Sequence, residues 1–155
     1  MKRVLLGRVM LVALPFLLIP PVASAQPPNS AAQYRPLLNE EMVKQGLWGA
    51  WITEFNALTG KQKAEVVRRH IQMCLDSFEL TNEQRTLVTE ITAKFVTEAT
   101  YSEADRAKRA ATQQAMQPEA EKAMALLGPE VAVRIFGGKP PISVLIAVKN
   151  DPKFK

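Results

Sequence analysis

Two copies of one short pattern, Leu58-Thr59-Gly60-Lys61-Gln62 and Leu80-Thr81-Asn82-Glu83-Gln84, begin 22 positions apart. Threonine is a good N-cap because its hydroxyl accepts a hydrogen bond from a backbone N–H that the first helical turn leaves unpaired. A glutamine three positions later can return a bond to the cap's own backbone, completing a capping box. Each Leu-Thr-x-x-Gln therefore starts a helix. The first is predicted over about Gly60 to Ser77, with Val67, Ile71, Cys74 and Phe78 as its apolar stripe, and the second from Asn82 toward Ala99, with Leu87, Val88, Ile91 and Phe95. Leu58 and Leu80 precede the caps, but Lys63 and Arg85 hold the positions a hydrophobic staple would use, so both leucines are expected to pack on a neighbouring helix.

Residues 1–25 are set aside as a secretory signal peptide. Lys2, Arg3 and Arg8 give a basic start, Val9 to Ile19 a short apolar run broken by Pro15, and Ala23-Ser24-Ala25 the small-x-small site of a signal peptidase. The run is too short for a membrane span, which needs about 20 apolar residues. Cleavage implies a periplasmic or secreted protein without an integral span. Removing the three positive charges leaves 17 basic against 15 acidic residues, which takes away the compositional case for nucleic-acid binding. One cysteine, Cys74, excludes an intramolecular disulfide framework.

The rest reads as an all-α fold: a flexible leader over 26–35, a helical domain of four to six helices over 36–138, and a proline-flanked apolar tail over 139–155. Helical spacing of Leu47, Trp48, Trp51, Ile52 and Phe55 predicts one helix from Pro36 to about Asn56. Beyond Ala99 a polar, alanine-rich helix ends near Pro118, and two helices of under ten residues follow. Ile142 to Val148, ISVLIAV, is β-branched and apolar between Pro140-Pro141 and Pro152, so it is expected to be extended.

Two LTxxQ motifs on a small, exported, helical chain resemble the Spy/CpxP group of periplasmic stress proteins, over residues 58 to 99. That resemblance implies a small all-α, dimer-forming cradle that binds unfolded clients, or one sensor partner, without ATP. The motifs lie closer together than in that family, and the tail has no counterpart there.

No nucleophile–base set, two-histidine metal motif or glycine-rich phosphate loop is visible, so the sequence assigns no catalytic, cofactor or metal residue and reads as a non-enzyme. His70 and Cys74 share a helix face at i and i+4, a spacing open to a metal or redox pair. The stripe instead places Cys74 as a small buried hydrophobe and His70 near the helix edge. Trp48, Trp51 and Phe55 serve either as core or as a protein-binding face, and Arg106, Lys108 and Arg109 either as a solvated face or as an electrostatic contact. Three functions fit: an ATP-independent chaperone or envelope-stress regulator, as a monomer or a homodimer; an interaction or inhibitor protein whose tail joins one partner's sheet edge; and a metal-responsive periplasmic protein using His70 and carboxylates. Mass spectrometry of the exported species is expected to find Gln26 as its first residue; an intact Met1 would overturn the signal-peptide assignment.

Overall fold

The structure, a computed structural model, describes residues 34–102 and 106–154. The segment expected to be a signal peptide and most of the expected leader thus lie outside the described residues. Within them the chain is all-α, with eight α-helices: α1 (Asn39–Lys44), α2 (Trp48–Asn56), α3 (Gly60–Ser77), α4 (Asn82–Phe95), α5 (Glu98–Ser102), α6 (Arg106–Leu127), α7 (Pro129–Gly137) and α8 (Ile142–Asn150). A 3-10 turn, Pro152–Phe154, follows. The only extended pairing among the described residues is an isolated antiparallel bridge between Leu37 and Lys139.

Both capping boxes form. Thr59 Oγ1 accepts from the Gln62 N–H at 3.3 Å, and the Gln62 side chain accepts from the Thr59 N–H at 2.9 Å. The second box repeats this with Thr81 and Gln84 at 3.2 and 2.9 Å. Helices α3 and α4 accordingly start where the pattern places them, although α4 stops at Phe95 rather than running to Ala99. The staple positions are used differently. Arg85 donates to Leu75 O at 2.8 Å and Phe78 O at 3.4 Å, satisfying carbonyls that the end of α3 leaves open. Arg68 does the same for α4, donating to Val96 O at 2.9 Å. Lys63 instead lies over the Phe55 ring.

The segment expected as one helix from Pro36 to Asn56 is two. Gly46 adopts φ +69°, the left-handed conformation that suits a residue without Cβ. Its N–H bonds Val43 O while the Leu47 N–H bonds Met42 O, a Schellman stop that ends α1 and re-aims the chain into α2. Pro118 does not begin a helix either. It sits inside the 22-residue α6 on an exposed stretch, where solvent serves the backbone carbonyl a proline leaves unpaired. The helix count therefore exceeds the four to six expected.

The larger correction is the tail, where ISVLIAV is helical. Pro141 is the N-cap residue, and Leu145 and Val148, one turn apart, are both fully buried. Putting Ile or Val in a helix costs less than about 0.7 kcal/mol per residue, whereas burying an aliphatic side chain yields about 1.5–3 kcal/mol. A lone strand would have left its backbone unpaired, so burial decides the conformation. The strand-addition idea loses its strand.

Two apolar clusters flank α3. One gathers Ile71, Cys74, Val88, Ile91, Phe95 and Ile135 from α3, α4 and α7, together with residues of α6. The other gathers Met42, Trp51, Leu58, Val66, Leu145 and Val148. Leu58 and Leu80 pack as expected, Leu58 inside the second cluster and Leu80 half-buried against the first. Thr59→Ala and Thr81→Ala should each lower stability by about 1 kcal/mol in urea unfolding, with an unchanged m value. Unchanged stability combined with lost partner binding would make the motif a contact site instead.

Candidate functional site

The chemistry-bearing residues fall into three groups. The first is the buried triplet Tyr34, His70 and Cys74. His70 is 2% exposed, not at the helix edge as expected. Helix α3 turns it toward the end of α7, where Nε2 lies 3.3 Å from Arg134 O and 3.1 Å from Ile135 O. Those carbonyls can only accept, so Nε2 carries the proton and Nδ1 accepts from the Tyr34 hydroxyl. Tyr34 thereby docks the end of the leader onto α3. Burial holds the His70 pKa down to about 4, with the charge of Lys139 a lesser contribution in the same direction. Cys74 Sγ is 3.7 Å from Nε2, yet burial pushes its thiol up to about 12. Burial first, and Cys74 second, raise Tyr34 above its ordinary value. A neutral imidazole beside a neutral thiol is the reverse of an activated thiolate–imidazolium pair. The triplet acts as a polar rivet through a dry region. Among the described residues, no three His, Cys, Asp or Glu side chains are grouped to hold a metal ion.

The second group is aromatic. Trp48 and Trp51 lie parallel with centroids 5.9 Å apart, Trp51 and Phe55 are stacked at 4.7 Å, and Phe55 meets Tyr101 edge-on at 6.4 Å. Spacing along α2 makes this possible, because residues three and four apart share a face. Trp51 is 4% exposed and donates its indole N–H to Pro140 O at 3.0 Å, while Trp48 and Phe55 are half-buried. The trio is therefore partly core, and its outer rings reach solvent.

The third group was not singled out from the sequence. An apolar groove of about 290 Å³ runs between α4, α6 and α7, lined by Ile91, Phe95, Met116, Met124, Val133 and Phe136 among others. Val133 and Phe136 are 43% and 37% exposed. Among the described residues the one charged side chain in the lining, Glu119, is held by Lys94 at 3.0 Å and Lys122 at 3.3 Å, and these two ammonium groups lower its pKa. Its charge is thus neutralised at the rim and the groove stays apolar. The available signal was α7 itself: VAVRIF is apolar on both sides, with Ala132 and Ile135 buried and Val133 and Phe136 outward. A helix that buries one apolar face normally turns a polar one to water.

Arg109 is exposed on α6, outside both the aromatic stack and the groove lining, and the Arg106 side chain lies outside the described residues. Among the described residues no helix is long and apolar enough to cross a membrane. Comparisons with family models, with curated proteins and with solved structures find no match to this chain.

The His70 geometry fixes a pH dependence. The unfolded histidine titrates near 6.5 and the folded one near 4, so the unfolded state binds the extra proton across that window. Stability is fully present above pH 6.5 and should fall by an amount on the order of 3 kcal/mol as the pH drops to 4. In urea titrations, His70→Gln should lose this component while keeping the carboxylate losses of Asp151 and Glu119. An identical pH profile in the variant would show that His70 is not the group responsible.

Proposed function

We propose that this chain is an exported, non-enzymatic binding protein that holds apolar protein segments without ATP, as a chaperone or an envelope-stress regulator. One observation carries this reading: the groove between α4, α6 and α7 leaves Val133 and Phe136 partly exposed, and its one charged side chain, Glu119, is already paired with Lys94 and Lys122. Exposed contiguous apolar surface on a soluble chain marks an interaction site. Methionines contribute at two places, Met116 and Met124, and an unbranched thioether adapts to differently shaped side chains. The rim adds Lys94 and Lys122, which keep the surface solvated beside the apolar floor. The LTxxQ resemblance and the signal-peptide pattern support the same reading, with the mature protein proposed to act in the periplasm or outside the cell. In the proposed mechanism an unfolded segment lays alternate large side chains into the groove, and release follows by dissociation alone.

Equimolar mature protein should slow aggregation of several unrelated unfolded clients without nucleotide. Val133→Ser with Phe136→Ser should weaken this by roughly fivefold or more, the equivalent of about 1 kcal/mol for a side chain central to an interface. Both side chains are partly covered, so the variant's melting temperature should fall modestly while its helical circular-dichroism signal persists, which keeps loss of binding distinguishable from loss of the fold. No effect of the parent protein on any client, at low and at moderate salt, would remove the chaperone reading; suppression that survives the double substitution would move it away from the groove.

A further inference from the structure

A second cavity, of about 350 Å³, lies on the other side of α7, enclosed by α2, α3, α5 and the α7–α8 junction. Its size falls within the roughly 300–1,000 Å³ typical of small-molecule sites, which are mostly apolar with a few placed polar groups. Trp48, Trp51, Phe55 and Tyr101 form its aromatic wall, and Ile52, Val66 and Val67 add aliphatic surface. Two of its polar side chains are already engaged, while Asn56 and Tyr101 add neutral polar groups to the lining. Both His70 nitrogens have partners, and the Trp51 indole N–H is given to Pro140 O.

Lys139 is different. Among the described residues it carries the only charge in the cavity lining. Its backbone is fixed by the two-way pairing with Leu37, and its Nζ stands 5.5 Å from the centroid of the Trp51 ring. Among the described residues it has no carboxylate within ion-pair distance, whereas Lys94, Lys122 and Lys149 each have one. It is only half-exposed, and burial lowers its pKa below the usual lysine value. A partly desolvated ammonium without a counter-ion is unfavourable until an anion meets it. A phosphate would call for several converging donors, guanidinium forks above all. One ammonium at the edge of an aromatic chamber suits one singly charged oxyanion joined to an apolar body.

We propose that this cavity binds a small apolar monocarboxylic acid, its hydrocarbon body against Trp48, Trp51 and Phe55 and its carboxylate on Lys139 Nζ. The proposal rests on observations separate from those of the groove, and the two sites lie on different sides of α7 with Phe136 common to both linings.

The two tryptophans of the chain both line the cavity, so their fluorescence reports on it directly. Titrating full-length mature protein with decanoate should give a saturable change, with binding about tenfold tighter than that of 1-decanol, the uncharged match, as expected for a charge-assisted contact. Lys139→Met should bring the two ligands to similar affinities, and Lys139→Arg should keep the preference for the acid. Val133→Ser, which touches only the groove, should leave decanoate binding unchanged and so separate the cavity from nonspecific adsorption. Absence of a saturable change with decanoate, or equal affinities for acid and alcohol in the unmutated protein, would overturn the proposal even if Lys139→Met failed to fold. A folded Lys139→Met that still preferred the acid would overturn it too.

Discussion

The approach of Gly138 to α3 is the contact on which the packing of the C-terminal third depends. A Cβ at this position would stand 2.2 Å from Arg134 O, 3.0 Å from the Pro36 side chain and 3.1 Å from His70 Cε1. The backbone there is ordinary, with φ −65°, so the requirement for glycine is one of space rather than of conformation. Because the chain passes this close, the end of α7 can present two carbonyls to His70, Lys139 can pair with Leu37, and Pro140 can receive the Trp51 indole. Four segments distant in sequence meet at one point. Tyr34 closes the arrangement from the leader side, so that no polar atom buried in this dry region is left without a partner among the described residues.

Helix ends are tied in a related way. Arg68 of α3 serves the end of α4, and Arg85 of α4 serves the end of α3. Gln84, already occupied as half of a capping box, also donates to Leu126 O at 2.9 Å at the end of α6. One residue thus starts one helix and helps to finish another. These bonds matter more than the ion pairs on the surface. Arg35–Glu41, Lys94–Glu119 and Lys149–Glu54 all involve basic side chains that are largely in water, where such a pair contributes about 0–1 kcal/mol. Apolar burial on the two sides of α3, with helix termini satisfied by side chains, accounts for the fold.

What could be read from the sequence follows the range of the forces involved. Capping is chemistry within four residues, so the starts of α3 and α4 were legible to the residue. The all-α class followed from the same local signals. The stop at Gly46 was harder: glycine permits a left-handed turn without demanding one, and the aromatic stripe continued through it. The composition of ISVLIAV points to a strand, but strand preference describes a fit to a pleated surface, and no sheet is present among the described residues to provide one. The helix form is fixed by Leu145 and Val148 entering a cluster built from residues about 80–100 positions earlier, Met42 to Val66. His70 was placed at an edge because its helical neighbour Arg69 is charged; its real environment is made by Tyr34 and by the end of α7, neither of which is near it in sequence. The groove has no local sequence signature because it is formed by the outward side of α7 against α4 and α6, and only the assembled helices create a concavity.

Helix α7 is where the fold and the proposed binding surface meet. Nine residues long, it sends Ala132 and Ile135 into the first cluster, offers its last carbonyls to His70, and leaves Val133 and Phe136 outward. A helix whose only task was to close the core would replace those two with polar side chains at little cost to stability, since surface substitutions usually change it by no more than about 0.5 kcal/mol. Keeping them apolar brings a solubility penalty instead. Phe136 also lines both concavities, the groove on one side and the aromatic cavity on the other. A side chain shared between two such spaces cannot be repositioned for one without altering the wall of the other. The buried side of α7, anchored through His70 and Gly138, keeps that shared wall in place, and this is the physical reason that an otherwise unfavourable apolar surface can be presented by so short a helix.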